Sequence, residues 1–185
     1  EIAVMVGLTE RTADAIRTLD EHWDGHGQPR GLAGDEIPLL GRILCLAQTV
    51  EIFHAAGGIE GAYGVADRRS GRWFDPELVD VLGAFRDDDG FWASLGEPDL
   101  TRWEPPDQVL TTDDESQLAL ATAFAAIVDA KSPWTYHHSD RTSLIATGMG
   151  AALGFNQEEL GRMRRVALLH DIGKLALSNR ILDKP

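Results

Sequence analysis

Apolar positions recur every three or four residues along most of the chain, which is the spacing of helices that bury one face. No segment alternates apolar and polar residues in the way that predicts a strand. The pattern therefore predicts an all-α fold, built as a helical bundle.

In the upstream part of the chain, helices are predicted over residues 9–20, after Asp35, and from Asp75–Pro76. A glycine-rich loop over 23–32 separates the first two, Gly57–Gly58 ends the second, and residues 59–74 are expected to be irregular. The inward positions of the second helix are expected to be Ile43, Ala47, Val50 and His54, and the anchors of the irregular segment Tyr63, Trp73 and Phe74.

The downstream part shows clearer helix signals. Thr112 with Glu115, and Asn156 with Glu159, have the spacing of capping boxes, and Gly154 is an expected helix stop. Three inward stripes follow from the periodicity: Leu118, Ala121, Ala125 and Val128; His138, Thr142, Ile145, Met149 and Ala152; and Leu160, Met163, Ala167, His170 and Lys174.

Residues 96–113 are rich in Pro and Asp and mark the best boundary in the chain. We expect one unit over 1–95, a linker over 96–112 and a second unit over 113–185. The chain begins at Glu1 and stops at Lys184–Pro185, which suggests part of a longer protein.

A net charge of −13 argues against general binding to nucleic acid or a membrane surface, although a bound metal could still attract a phosphate. Cys45 is the single cysteine, which excludes an intrachain disulfide and suits a reducing cytoplasm. No apolar run appears long enough to span a membrane.

The chemistry is concentrated in an apolar run that leads into His170–Asp171 and, three residues on, Lys174. A buried Asp needs a partner, and a divalent metal held by imidazole and carboxylate is a common one. His138, on the preceding helix, is a further candidate ligand. Taken singly, each histidine fits a core residue bonded to a backbone carbonyl at least as well; Asp171 shifts the balance toward a metal.

The downstream motifs resemble the first half of an HD-superfamily metal phosphohydrolase, specifically the HD-GYP branch. The matching stretches are Asp129–Ala130–Lys131–Ser132–Pro133, His138–Ser139–Asp140–Arg141, Leu168–Leu169–His170–Asp171–Ile172–Gly173–Lys174 and Ile181–Leu182–Asp183–Lys184–Pro185.

The resemblance implies that His138, His170 and Asp171 bind metal, with Asp171 and Lys174 as the catalytic residues. It places Lys174 and Arg141 at the substrate phosphate. His137 is the adjacent alternative to His138, which the motif register favours. The implied metal is Fe or Mn, and the implied substrate is the cyclic dinucleotide c-di-GMP.

Residues 19–85 resemble the second half of the same family, placed ahead of the first. The match runs through Trp23–Leu32, Asp35–Pro38, Arg42–Leu44 and Phe74–Val79. It indicates a tandem protein, in which the tail of one unit precedes the head of the next, or a circularly permuted single domain.

This upstream half departs from the family at positions that carry its chemistry. Leu19 and Asp20 stand where the family has two adjacent histidines. Gln28 stands in place of a loop tyrosine, and Gln48 in place of a late aspartate. Glu21 matches but cannot hold a metal alone, and His22 and His26 are expected to be exposed loop residues. We therefore interpret this half as a degenerate unit kept for packing or regulation.

Together these features predict a cytoplasmic phosphodiesterase of the HD type acting in signalling, although we do not expect the segment alone to be an efficient catalyst. A degenerate sensing or dimerisation module is the alternative, and a helical bundle with structural histidines is a third. Expected partners are a phosphoester substrate, further domains and a second copy, without nucleic acid or membrane.

Overall fold

The computed structural model describes residues 2–96, 113–131 and 137–182, and within them the fold is all-α, as the periodicity predicts. Two isolated bridges, Asp24 with Ala33 and Ser70 with Phe74, are the extended pairings of these ranges. The helices are α1 (Ile2–Met5), α2 (Glu10–Arg17), α3 (Leu39–Arg69), α4 (Pro76–Gly83), α5 (Asp89–Ser94), α6 (Asp114–Ala130), α7 (His138–Ala152), α8 (Gln157–Leu169) and α9 (Asn179–Leu182), with 3₁₀ helices at Gly34–Glu36 and Ile172–Ala176.

The chain divides into two compact units. The first is Thr9–Asp107, and the second joins Glu1–Leu8 to Gln108–Pro185. Helix α1 belongs with the second unit because it packs on α6. The interpretation of the two units as the tail and head of tandem repeats stays a prediction, as does the alternative of a permuted domain.

The first unit is built on α3. Its core comprises Cys45, Leu46, Val50, Ala62, Tyr63, Ala66, Phe74, Val79 and Trp92. The predicted anchors Tyr63 and Phe74 are confirmed as buried. The predicted stripe of α3 is wrong at Ile43 and Ala47, which are exposed. The buried side instead passes through Gly41 and Cys45, because Gly41 packs directly on Thr18 and sets which face of the helix meets α2.

Two starting and stopping signals of α3 also differ from expectation. Asp35 lies inside the 3₁₀ helix, and Pro38 is the N-cap of α3. Gly57 and Gly58 leave helical geometry, with Gly58 at φ +63°, but the helix resumes and runs to Arg69, so residues 59–69 are not irregular. The part of α3 after the two glycines approaches the part before them: a Cβ on Gly61 would lie 2.6 Å from the carbonyl oxygen of Phe53.

Helix α3 is long and apolar enough to cross a membrane by length and composition alone, contrary to the sequence expectation. Within the structure it is interrupted at Gly57 and Gly58 and supplies Leu46, Val50 and Tyr63 to the core of the first unit. Core helices of folded domains pass the same test.

In the second unit, α6, α7 and α8 pack on one another. The predicted stripe of α6 is confirmed, with Ala121, Ala125 and Val128 buried. Asp113 caps this helix by accepting from the Ser116 N–H, whereas the predicted cap Thr112 lies outside the described residues. The Asn156–Glu159 capping box of α8 is confirmed.

The predicted inward face of α7 is wrong. Ile145 and Met149 are 66% and 63% exposed, and the buried positions are Ser139, Ser143 and Gly150. Close helix packing explains the difference, because a Cβ on Gly150 would lie 3.1 Å from side-chain carbons of Leu160 and Phe155. Small residues therefore mark the packed side of α7, which hydrophobic spacing does not reveal.

We expect Gly61→Ala to lower the free energy of unfolding by about 1–3 kcal/mol, because the added methyl group meets the Phe53 carbonyl. The matched control is Gly83→Ala in α4 of the same unit, where a Cβ meets nothing within 4 Å. Urea denaturation compares the two. Equal stability of both variants and the wild type would contradict the close approach of the two parts of α3 that flank Gly57 and Gly58.

Candidate metal centre

Three predicted ligands converge where α7 begins and α8 ends. His138 is the first residue of α7, and His170 is the C-cap of α8. Asp171 follows as the N-cap of the 3₁₀ helix Ile172–Ala176, and its carboxylate is not used to cap that helix. The apolar end of α8 fixes the pair, because Ala167 and Leu168 are buried directly before it.

One donor atom from each residue lies within 4.8 Å of the other two. The two histidine Nε2 atoms are 3.3 Å apart. Asp171 Oδ2 lies 3.3 Å from His170 Nε2 and 3.8 Å from His138 Nε2. Among residues 2–96, 113–131 and 137–182, this is the only group of three such side chains arranged so closely.

The orientation of His170 is fixed by its second ring nitrogen. Nδ1 lies 2.8 Å from the carbonyl oxygen of Ala167, to which it donates. That tautomer leaves the lone pair of Nε2 facing the cluster, which is the arrangement of metal-bound histidines.

Lys174 completes the cluster with a cation. Its Nζ donates to Asp171 Oδ2 at 2.6 Å. Partial burial of Asp171 raises the pKa of the carboxyl, but the Lys174 hydrogen bond and the charges of His170, Lys174 and His138 outweigh it and bring the pKa below its usual value. The carboxylate is therefore ionised at neutral pH, the form that binds metal.

The cluster is less buried than the apolar lead-in suggests. The side chains of His138, His170 and Asp171 are 42%, 34% and 18% exposed. Asp171 thus avoids the full cost of a buried charge, and the donor atoms are reachable from solvent. A reachable position suits a site that must admit an external ligand.

Two neighbouring candidates are not members of this group of three donors. His137 adopts a left-handed backbone, with φ 54°, and its Nδ1 lies 3.1 Å from Asp140. Arg141 is exposed one turn into α7, and within the described ranges its side chain has no hydrogen bond or ion pair to the cluster. Its role at the substrate stays a prediction.

The donor set fits a divalent metal. Ligands about 2.1 Å from one ion are separated from each other by roughly 3.0–3.5 Å, and two of the three observed separations lie in that range. Two imidazoles and one carboxylate suit Fe, Mn or Zn, so they do not choose among metals. Three protein ligands leave positions open for water or substrate.

The first unit offers no comparable cluster among its described residues. Gln48 Nε2 donates to Asp20 Oδ1 at 3.4 Å, so two positions that the resemblance assigns to metal ligands meet as an amide and a carboxylate. The Glu21 carboxylate is buried and accepts from the backbone N–H groups of Arg30 and Leu32 at 2.6 and 3.0 Å. Glu21 thus stabilises the glycine-rich loop.

Two contacts near the cluster were given no role from the sequence. Asp129 accepts from Ser139, beside His138, and Lys131 donates to the backbone that follows Lys174. Both residues lie in the matched motif over 129–133, which marks them as candidates, but only the structure shows which groups they contact.

Known HD domains match two segments of the chain, residues 3–78 and 135–185. The 3'3'-cGAMP-specific phosphodiesterase 3 of Vibrio cholerae is 41% identical over the whole chain, which spans 41% of that protein's length. A cyclic di-GMP phosphodiesterase of Thermotoga maritima is 32% identical over 38% of this chain and 21% of its own length. The chain thus spans less than half the length of these curated relatives.

A crystal structure of a cyclic GMP-AMP-specific phosphodiesterase of V. cholerae has a similar fold, with a TM-score of 0.68 and 41% identity. The similarity covers all of this chain and 45% of that one. The downstream HD match includes His138, His170, Asp171 and Lys174.

We expect His170→Ala to weaken Mn²⁺ binding by the full-length protein more than about 100-fold, because loss of outer-shell partners alone costs about 10- to 100-fold. Titration calorimetry and metal analysis after dialysis measure the change. His26→Ala, which alters an exposed loop histidine of the first unit, is the matched control. Unchanged Mn²⁺ content in His170→Ala would contradict the assignment.

We expect Lys174→Met to raise the pKa of Asp171 toward its usual value in metal-free protein, because the strongest hydrogen bond that lowers it is lost. In the wild type the pKa of Asp171 is lower in the folded protein than in the unfolded chain. Ionised Asp171 therefore contributes to folding stability at neutral pH, and this contribution is lost as the pH falls through the folded-state pKa. Carboxyl NMR titration measures the pKa. Arg180→Met removes an exposed cation that does not act on Asp171 and should leave the pKa unchanged.

Proposed function

Because this chain belongs to the HD-domain superfamily, we propose that it is part of a metal-dependent phosphodiesterase that hydrolyses a cyclic dinucleotide. The convergence of His138, His170 and Asp171 on one solvent-reachable position carries the proposal. The similarity to cyclic-dinucleotide phosphodiesterases supports the substrate class.

In this proposal, each side chain has a separate task. His138, His170 and Asp171 hold the metal, which supplies an activated water and positive charge at the phosphoryl oxygens when bound. Lys174, already hydrogen-bonded to Asp171, brings a cation to the same place and binds a substrate phosphate oxygen. Arg141, exposed on α7, is the second candidate for phosphate binding.

The ionised state of Asp171 matters for this arrangement. Its carboxylate gives the cluster one negative charge, and Lys174 gives one positive charge, so a bound divalent ion leaves a net positive site. A phosphodiester is an anion and is attracted to such a site even though the chain as a whole is strongly acidic.

We propose 3'3'-cGAMP as the preferred substrate, with c-di-GMP, the substrate implied by the sequence resemblance, as the competitor. The cGAMP-specific relative is similar along the entire chain, whereas the c-di-GMP relative is similar over 38% of it. Both compounds present the same kind of phosphodiester to the donor cluster. Discrimination between their bases therefore depends on contacts outside the three ligands.

A second role is proposed for the first unit, that of a non-catalytic module for packing or regulation. The hydrogen bond between Gln48 and Asp20 favours it, since a neutral amide is a poor substitute for a charged ligand. For the protein as a whole, we also propose a homodimer, a cytoplasmic location and additional domains, as the sequence analysis expects.

The full-length protein should hydrolyse 3'3'-cGAMP with a higher kcat/KM than c-di-GMP when supplied with Mn²⁺. Asp171→Asn should lower kcat/KM on both compounds by more than about 100-fold, because the ionised ligand is replaced by a neutral amide. Chromatography of the linear products measures both rates.

Asp24→Asn is the matched control, since Asp24 is a loop carboxylate of the first unit whose partner is His26. Hydrolysis of neither compound by a metal-loaded wild-type protein would contradict the enzyme proposal. That result would favour the sensing module.

A further inference from the structure

The C-terminal end of α6 contacts both elements that carry the proposed centre, although it contributes no donor atom to it. Building on the proposed function, we propose that Asp129 and Lys131 are positioning residues. Asp129 fixes the helix start that carries His138, and Lys131 fixes the turn that carries Lys174.

Asp129 caps α7 from a different helix. Its Oδ2 accepts from the Ser139 N–H at 3.1 Å, and its Oδ1 accepts from the Ser139 Oγ–H at 2.8 Å. Both residues are buried, with Ser139 fully enclosed. The first N–H groups of a helix have no partner within it, and the N-cap residue His137 makes no side-chain cap. The Asp129 carboxylate meets that need directly beside His138.

Lys131 binds the opposite element. Its ammonium group donates to the carbonyls of Lys174, Leu175 and Leu177 at 2.9, 2.9 and 2.5 Å. An ammonium group has three N–H donors, so these bonds use them all. The three carbonyls lie at the C-terminal end of the 3₁₀ helix Ile172–Ala176, where a cation also interacts favourably with the aligned peptide dipoles.

The two contacts act from positions two residues apart on one helix end. Asn179 adds a third link by donating to the Lys131 carbonyl at 3.3 Å. His138 begins α7, which Asp129 contacts, and Asp171 precedes the 3₁₀ helix, which Lys131 contacts. The separation between the donor atoms of His138 and Asp171 therefore depends on α6. This helix end therefore acts as the rigid support that brings the ligands and Lys174 together.

The two residues should affect different steps. Asp129 acts on His138, so its loss should weaken metal binding before substrate is present. Lys131 acts on the backbone of Lys174, so its loss should mainly raise KM by displacing the phosphate contact. A residue that only stabilises the fold would not separate the two measurements.

The test compares Asp129→Asn, Lys131→Met and Lys131→Arg in the full-length protein. We expect Asp129→Asn to raise the Kd for Mn²⁺ about 10- to 100-fold without substrate. We expect Lys131→Met to lower kcat/KM by a similar factor, mainly through KM. Lys131→Arg should recover part of that loss, because a guanidinium group also donates several N–H bonds to carbonyls.

Asp113→Asn is the matched control, because Asp113 caps the other end of α6 and lies away from the cluster. It removes one carboxylate charge from α6 but keeps the oxygen that accepts from the Ser116 N–H, so Tm, the Kd for Mn²⁺ and KM should all stay close to wild-type values. The positioning roles are overturned if Asp129→Asn and Lys131→Met match the wild type in both measurements, or if Asp113→Asn changes them as strongly.

The outcome also separates this inference from the proposed function. A wild-type protein that binds Mn²⁺ but hydrolyses neither dinucleotide contradicts the function, and the Kd of Asp129→Asn then decides the positioning role. An active wild type with unaffected variants contradicts the positioning role alone. A wild type that binds none of Mn²⁺, Fe²⁺ and Zn²⁺ overturns both.

Discussion

The second unit depends on holding two imidazole nitrogens and a carboxylate oxygen within 4.8 Å of one another. Such a group of electron-rich atoms needs a nearby positive charge. Lys174 meets part of that need through its hydrogen bond to Asp171, and this bond, with the charges of His170, Lys174 and His138, lowers the pKa of Asp171 despite its partial burial. The helix ends and the buried contacts around the cluster are arranged so that these atoms stay together.

Much of this arrangement could be predicted from the sequence because it is encoded locally. Capping residues such as Asn156 and Asp75 act on N–H groups two or three residues away, so spacing alone reveals them. The His170–Asp171 pair is adjacent in the chain, and its relation to Lys174 is set by a single 3₁₀ turn. Only His138 comes from a distant element: the helical pattern made it a candidate ligand, and the family resemblance implied that it shares a metal with His170 and Asp171.

The errors arise where packing between elements decides the outcome. Helix α7 buries Ser139, Ser143 and Gly150, because close approach of neighbouring helices favours small residues over the apolar stripe that includes Ile145. Gly57 and Gly58 bend α3 without ending it. The exposure of the metal ligands likewise depends on what covers the helix ends, which hydrophobic spacing does not encode.

On the proposal that the first unit is non-catalytic, the contacts that hold its loop need no metal. In the first unit, Glu21 still stabilises the glycine-rich loop through two backbone bonds, while Gln48 and Asp20 meet as an uncharged–charged pair. In the second, His138, His170 and Asp171 lie together with the contacts that Asp129 and Lys131 make beside them. Loop and core contacts contribute to folding whether or not a metal binds, whereas ligand positions are constrained only by the ion. Among its described residues, the first unit thus has the structural glutamate without a group of three metal donors, which agrees with the proposed packing or regulatory role.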